Sequence, residues 1–356
     1  MAHSTPLALQ RSIDATKVEY VPLGTSGLRI SYPILGGMTL GSKTWEKWCL
    51  DEEESLAILK AAYDVGINTW DTANGYSNGK SEAIMGKALK QFGIPREKVI
   101  LMTKCWAYVG EDDSIIGFAF GPQMAATSDY VNQGGLSRAA IFNAVEKSLA
   151  RLETSYIDIL QIHRIDPSTP VEETMKALHD LVQSGKVRYL GASSMYTYQF
   201  AQLQHVAEKN GWTKFVSMQN LYNLAYREEE REMNRFCKET GVGIIPWSPM
   251  HGGQLARPVG KGDSVRATTP HPMTPVLTEA DKEIIRRAEK VAGDKGWSMS
   301  EVALTWLRSK SAIPIVGFNS VARVKDVAGL RGKVLTDEEK NFLEEPYVPK
   351  NIYGHF

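Results

Sequence analysis

The chain has 356 residues, 43% of them hydrophobic and 23% charged, the balance of a soluble globular protein. That length suits one (β/α)₈ barrel of about 250 residues with elaborations, or two smaller domains. Its 41 basic and 41 acidic residues cancel, so no global charge bias points to nucleic acid, and no apolar run reaches the roughly 18 residues of a membrane span.

Residues 1–17 lack a continuous apolar stretch and read as a leader without regular structure, residues 18–345 as one domain, and 346–356 as a tail. Glu19 to Leu23, Gly24 to Gly27 and Leu28 to Ser31 read as a hairpin with a Gly-containing turn, placed to plug the bottom of a barrel. A strand follows at 34–38. A helix is expected over 52–63, with Asp51 as its N-cap and Leu56, Leu59 and Ala62 on one face. Further strands are expected near 67–70, 98–103, 156–162, 187–191, 215–218, 242–246 and 312–316. Helices are expected near 80–90, 138–151 (N-cap Ser137), 171–183, 197–209, 228–239, 299–309 and 320–329. This makes about eight β/α units, which favours a closed parallel (β/α)₈ barrel over an open doubly wound sheet.

Two stretches exceed ordinary barrel loops. Residues 105–136 follow the third strand and 250–277 follow the seventh, and both read as pocket walls. The alternating charges of Arg227 to Glu232 read as a solvated helix face. Cys49, Cys105 and Cys237 make no paired framework, which fits a reducing cytoplasm. Cys105 stands beside Lys104, so a lowered thiol pKa is weighed against a simple packing role, and packing is preferred.

Three apolar runs end in polar groups. One delivers Asp71, with Tyr76 in the loop beyond it; the others deliver Lys104 and His163. Parallel neighbouring strands would bring all four to the carboxyl face of a barrel. Taken singly, each has an ordinary structural explanation: a turn cap, a packed phenol, a solvated lysine, a satisfied core histidine. Taken together they form a proton donor and an oxyanion binder. An ammonium stabilises a neighbouring phenolate, a carboxylate keeps that ammonium charged and oriented, and an imidazole donates to a carbonyl oxygen. No protein nucleophile accompanies them, so a cofactor hydride is the matching partner. Metal ligation is not expected, because the seven histidines include no His-x-His.

The block Asp71-Thr72-Ala73, Tyr76, Gly79, Ser81-Glu82 and Gly86, with Lys104 and His163, resembles the aldo-keto reductases over residues 20–343. The closest resemblance is to fungal members of the versiconal hemiacetal acetate reductase type. It implies an NADPH-dependent reduction of an aldehyde or ketone to an alcohol, in fungal secondary metabolism, with Asp71, Tyr76, Lys104 and His163 as the catalytic four and Tyr76 as proton donor. The cofactor would lie extended without a Rossmann domain, so the absent Gly-x-Gly-x-x-Gly does not count against it. Gly191 to Ser194, Gln219 and Asn220 resemble the strand ends that bind the carboxamide, and Trp247 the ring on which the nicotinamide stacks. Ser248, Pro249 and Met250, with Gly252 and Gly253, resemble the turn against the pyrophosphate. Gly317, Asn319 and Arg323 resemble the adenosine end. Thr39, Arg257 and Arg266 join the cofactor set, and Trp106 joins Tyr76 and His163 at the substrate.

The chain departs from the family in two places. Related sequences often read small-basic-Gly after this turn, where this chain has His251-Gly252-Gly253, and Ser194 stands where many members have Asn. A small-molecule carbonyl partner is implied, with no nucleic acid or membrane partner. Trp45, Trp48 and Trp106 point to a large, flat or apolar substrate, or else simply pack their loops. The alternatives are a nucleotide-binding regulator resembling channel β-subunits and, more remotely, a metal-dependent barrel hydrolase.

Overall fold

A computed structural model of the chain describes residues 5–261, 265–268 and 276–355. Residues 1–4 of the expected leader, and 262–264 and 269–275 of the stretch after the seventh strand, lie outside the described residues. Helix α1 (Leu7–Ala15) opens the chain, followed by the antiparallel hairpin β1 (Glu19–Pro22) and β2 (Arg29–Tyr32). Eight parallel strands follow: β3 (Ile34–Gly36), β4 (Thr69–Asp71), β5 (Ile100–Cys105), β6 (Ile157–Ile162), β7 (Val187–Ser193), β8 (Phe215–Gln219), β9 (Gly243–Ile244) and β10 (Ile315–Gly317). Their order is β10-β3-β4-β5-β6-β7-β8-β9. Two backbone bonds close the ring across its remaining seam, Ile313 N to Ile244 O at 2.8 Å and Ile315 N to Pro246 O at 2.9 Å. The chain therefore forms a (β/α)₈ barrel.

The helices are α2 (Glu52–Asp64), α3 (Lys80–Gln91), α4 (Gly117–Ala125), α5 (Arg138–Arg151), α6 (Val171–Gln183), α7 (Thr197–Lys209), α8 (Met233–Thr240), α9 (Val265–Thr268), α10 (Glu279–Lys295), α11 (Met299–Ser309), α12 (Val321–Val327) and α13 (Asp337–Glu344). Local chemistry sets their starts. Asp51 and Glu54 form a capping box on α2, the Ser137 side chain accepts from Ala140 N on α5, and Ser298 with Glu301 caps α11. Leu56, Ile58, Leu59 and Ala62 form the buried face of α2. Each large apolar side chain buried this way contributes roughly 1.5–3 kcal/mol.

The hairpin sits at the amino end of the barrel. Ser31 N donates to Thr69 Oγ1 at 3.0 Å, at the first residue of β4, while Leu23 and Ile30 are fully buried. Several expectations differ from what is observed. The supposed leader carries α1, whose Leu7, Leu9 and Ile13 are exposed; it forms a local helix without burying a face. The 105–136 stretch contains α4, and α10 was not anticipated. The seventh and eighth strands are shorter than expected, because Pro246 and Pro314 supply no amide donor to the ladder.

The charge run is not a solvated face. Glu228 and Glu229 are buried, in a 3₁₀ turn that precedes α8. The C-terminal segment covers them: Tyr347 Oη donates to Glu228 Oε1 at 2.6 Å and Lys350 N to the same oxygen at 2.8 Å. Among the described residues no helix is long and apolar enough to cross a membrane.

Candidate active site

Strand alternation builds the site. On β5, Lys104 points into the barrel, while Thr103 on the opposite face bonds Glu82 of α3 at 2.5 Å. On β6, Asp158 faces outward to Arg96 at 2.6 Å; Gln161 and the following His163 share the inner side. The four polar groups converge. Lys104 Nζ lies 2.6 Å from Asp71 Oδ2, 2.9 Å from the Thr72 carbonyl oxygen and 3.3 Å from Tyr76 Oη. The Tyr76 and His163 rings meet edge to face at 5.7 Å.

Lys104 is fully buried. Burial disfavours its charge, but Asp71 and Tyr76 oppose that and the net pKa direction is upward, so the ammonium stays charged. His163 goes the other way. Burial first, then the cations Arg164 and Lys104, hold its imidazole well below the usual histidine range, and its buried Nδ1 has no hydrogen-bond partner among the described residues. A neutral imidazole is therefore poised beside a phenol and an ammonium.

The sequence reading missed part of this arrangement. Gln161 Nε2 donates to Asp71 Oδ1 at 2.7 Å, and Gln219 Nε2 donates to the same oxygen at 3.1 Å. The two amides also bond each other, Gln219 Nε2 to Gln161 Oε1 at 2.8 Å. Asp71 thus has both oxygens engaged and its rotamer fixed. The available signal was a glutamine inside the apolar run of β6, two residues before His163 on the same face. Arg164, also unanticipated, is buried next to His163 and donates to its carbonyl oxygen at 2.6 Å. Cys105 is fully buried and its thiol is pushed up to about 12, so adjacency to Lys104 does not activate it.

The residues expected around a cofactor line the carboxyl ends of β3 and β7 to β10. Thr39 Oγ1 donates to the Phe318 carbonyl oxygen at 3.1 Å, tying the end of β3 to the end of β10. Ser193 Oγ donates to the Gln219 carbonyl oxygen at 2.7 Å, and Trp247 Nε1 to Ser194 Oγ at 3.0 Å. Asn220 Nδ2 donates to Glu229 Oε2 at 2.6 Å, and its buried Oδ1 has no donor among the described residues. Ser248 Oγ accepts from Gly252 N at 3.1 Å, Pro249 is buried, and Met250 leads into a turn where Gly252 and Gly253 have φ of 66° and 92°. Side chains at either glycine would be strained, and a Cβ at Gly253 would stand 2.8 Å from the Arg257 guanidinium. Arg257 Nε donates to the Gly253 carbonyl oxygen at 3.1 Å, so a cation lies over the turn that lacks the family's basic residue. Gly317, Asn319 and Arg323 are exposed at the end of β10 and the start of α12.

Of the nine non-glycine residues with positive φ among the described residues, six, Ser77, Asn78, Trp106, Ser194, Ser248 and His251, lie in loops or 3₁₀ turns that follow the carboxyl ends of barrel strands. Clustering of strained backbone is a mark of functional sites. Trp106 packs on Phe118 at 6.1 Å, and Phe118 meets His163 edge to face at 5.1 Å, so α4 packs against the candidate site. The Arg266 guanidinium lies over the Trp48 ring, 4.5 Å from its centroid.

The aldo/keto reductase family profile matches residues 34–347. The chain belongs to this family. It is 55% identical to aldo-keto reductase dtxS3 of Metarhizium robertsii, over 98% of this chain and 96% of that protein. Versiconal hemiacetal acetate reductase of Aspergillus parasiticus is 50% identical, over 94% of this chain and 99% of the relative. A putative aryl-alcohol dehydrogenase of Schizosaccharomyces pombe is 47% identical, over 94% and 97%. An aldo-keto reductase is an oxidoreductase of carbonyl and alcohol groups, and that activity class fits a face carrying a phenol, an ammonium and a neutral imidazole but no activated nucleophile.

Proposed function

We propose that the protein reduces an aldehyde or ketone to an alcohol with NADPH, and that Tyr76 donates the proton. One observation carries this reading: the Tyr76 hydroxyl stands 3.3 Å from a buried ammonium that is itself held at 2.6 Å by Asp71. Lys104 stabilises the phenolate left after proton donation, Asp71 keeps Lys104 charged, and Gln161 with Gln219 orients Asp71. The neutral His163 donates a hydrogen bond to the substrate oxygen and strengthens it as charge develops there.

The residues present fit a dinucleotide. The Asn220 Oδ1 acceptor is buried and unpaired, as a carboxamide N–H would require, and the Gly252–Gly253 turn offers a side-chain-free surface under Arg257. When bound, the dihydronicotinamide supplies the hydride. Trp247, anchored through Ser194, would hold the nicotinamide by stacking, Ser248 and the glycine turn would hold the pyrophosphate, and Arg323 would hold the 2′-phosphate. Fungal relatives named for versiconal hemiacetal acetate and for aryl alcohols favour a role in fungal secondary metabolism. Oxidation of NADPH at 340 nm with 4-nitrobenzaldehyde tests the reading, and turnover is expected. A folded protein that binds NADPH but turns over no aromatic, aliphatic or polycyclic carbonyl would instead support the regulator reading.

A further inference from the structure

Glu229 lies in the 3₁₀ turn before α8 and is only 3% exposed, although a carboxylate loses much by leaving water. Its Oε2 accepts from Asn220 Nδ2 at 2.6 Å, and its Oε1 stands 3.1 Å from His355 Nε2 in the C-terminal segment. That segment crosses the face that carries the expected nicotinamide residues. A Cβ at Gly354 would stand 3.7 Å from the Trp247 ring and 3.9 Å from Ser194 Oγ. Asn220 belongs to the same wall, since its carbonyl oxygen accepts from Trp247 N at 3.0 Å.

An ionised carboxylate only accepts hydrogen bonds, so the end of the Asn220 amide that faces Glu229 must be its N–H₂. The amide is planar, and fixing Nδ2 on Glu229 turns Oδ1 away from the carboxylate. Oδ1 is buried and has no donor among the described residues. Other side chains expected at a carboxamide are already engaged: Ser193 Oγ donates to the Gln219 carbonyl oxygen, and Gln219 Nε2 donates to Asp71 and Gln161. We propose that Glu229 is a positioning residue for the cofactor, holding the Asn220 amide so that Oδ1 is a fixed acceptor for the N–H₂ of the nicotinamide carboxamide. This rests on the dinucleotide-binding part of the reductase reading and deepens it. Without Glu229 the amide can turn over and present its own N–H₂, which opposes the N–H₂ of the carboxamide.

The test is calorimetric binding of NADP⁺ and of its 3-acetylpyridine analogue, which keeps the ring and carbonyl but carries a methyl group in place of the carboxamide N–H₂. In Glu229→Leu the Kd for NADP⁺ should rise roughly three- to tenfold, the scale of one neutral hydrogen bond, while that for the analogue stays nearly unchanged. Glu229→Gln can still accept from Asn220 Nδ2 and should bind both ligands as the wild type does. A merely structural role would weaken both ligands alike, so equal shifts in Glu229→Leu, or no shift in either, would overturn the proposal. If Glu229→Leu does not fold, Asn220→Ala takes its place beside Glu229→Gln. Selective loss of NADP⁺ affinity in Asn220→Ala, with intact binding in Glu229→Gln, sustains the proposal. An unchanged NADP⁺ affinity in Asn220→Ala, or an equal loss of both ligands, overturns it, because Glu229 is proposed to reach the cofactor only through Asn220. Wild-type protein that binds neither ligand would defeat the dinucleotide reading itself, whereas equal shifts leave that reading in place and remove only the positioning role.

Discussion

At the scale of single residues, function is concentrated in one buried ammonium and its neighbours. Lys104 is fully buried, and only the contacts to Asp71, Thr72 and Tyr76 offset its desolvation. Tyr76→Phe removes the proposed proton donor and little else, since the ring stays in its cluster with Trp45 and Trp48. Carbonyl reduction should fall by about a hundredfold or more, with cofactor affinity and melting temperature nearly unchanged, as stopped-flow turnover and NADPH fluorescence titration would measure. Near wild-type turnover would remove Tyr76 from the mechanism. In the proposed reading, cofactor choice belongs to the other end of the site. Arg323 is exposed one turn into α12, where its guanidinium is free to meet a phosphate in solvent. Arg323→Ala should raise the KM for NADPH on the order of tenfold and leave that for NADH alone, the scale of a lost charge-assisted hydrogen bond. An equal effect on both cofactors would show that Arg323 does not read the 2′-phosphate.

At the scale of elements, the carboxylate of Glu82 pins three of them together. Its Oε1 accepts from Thr103 on β5 and its Oε2 from Arg151 on α5 at 2.6 Å, while the residue itself lies on α3 and is fully buried. Gly79, just before α3, has φ 88°, and a Cβ there would strike the Arg151 side chain at 2.5 Å. Removing Glu82 leaves a half-buried guanidinium without its counter-ion, so Glu82→Ala should cost about 3–5 kcal/mol in urea unfolding. A loss under 1 kcal/mol would mean that solvent takes over the Arg151 charge. Helices with a clear amphipathic period were legible to the residue: 171–183, 197–209 and 299–309 match α6, α7 and α11. Helix α10 carried the same kind of signal, a Thr278–Asp281 capping box followed by Ile284, Ile285, Ala288 and Val291, but the Gly- and Pro-rich stretch before it obscured its start.

At the scale of the whole molecule, the fold buries histidines in their neutral form. His163 is held well below the ordinary histidine value by burial and by its cationic neighbours. His251, in the turn after Pro249, is lowered to about 4 by burial and by Lys350, against the pull of Asp281. Both pKa values are lower in the folded state than the roughly 6.5 of an unfolded chain. The unfolded state therefore binds more protons below pH 6.5, and the stability is fully present above that pH. It is lost as pH falls from about 6.5 toward the folded values, at up to about 1.4 kcal/mol per pH unit for each histidine. Urea midpoints should drop between pH 7 and pH 5. His251→Asn, whose side chain tolerates the left-handed φ of 50° at this position, should flatten that dependence. A midpoint independent of pH over this range would contradict neutral burial of both histidines.

The sequence by itself determined the alternation of strands and helices and the placing of Asp71, Lys104 and His163 at strand ends. Hydrophobic period and capping chemistry are local, and eight β/α units leave few ways to close a sheet. Tertiary structure alone decided which polar groups work on one another. Gln161 and Gln219 lie 58 residues apart, yet bond at 2.8 Å and share Asp71, because β6 and β8 both pair with β7, which sets their register. Glu228 and Glu229 read as solvated until Tyr347 and Lys350 fold across them. Arg266 has its guanidinium over the Trp48 ring, a contact that nothing near it in the sequence announces. In each case the deciding term is desolvation, which depends on what covers a group and not on its neighbours in sequence.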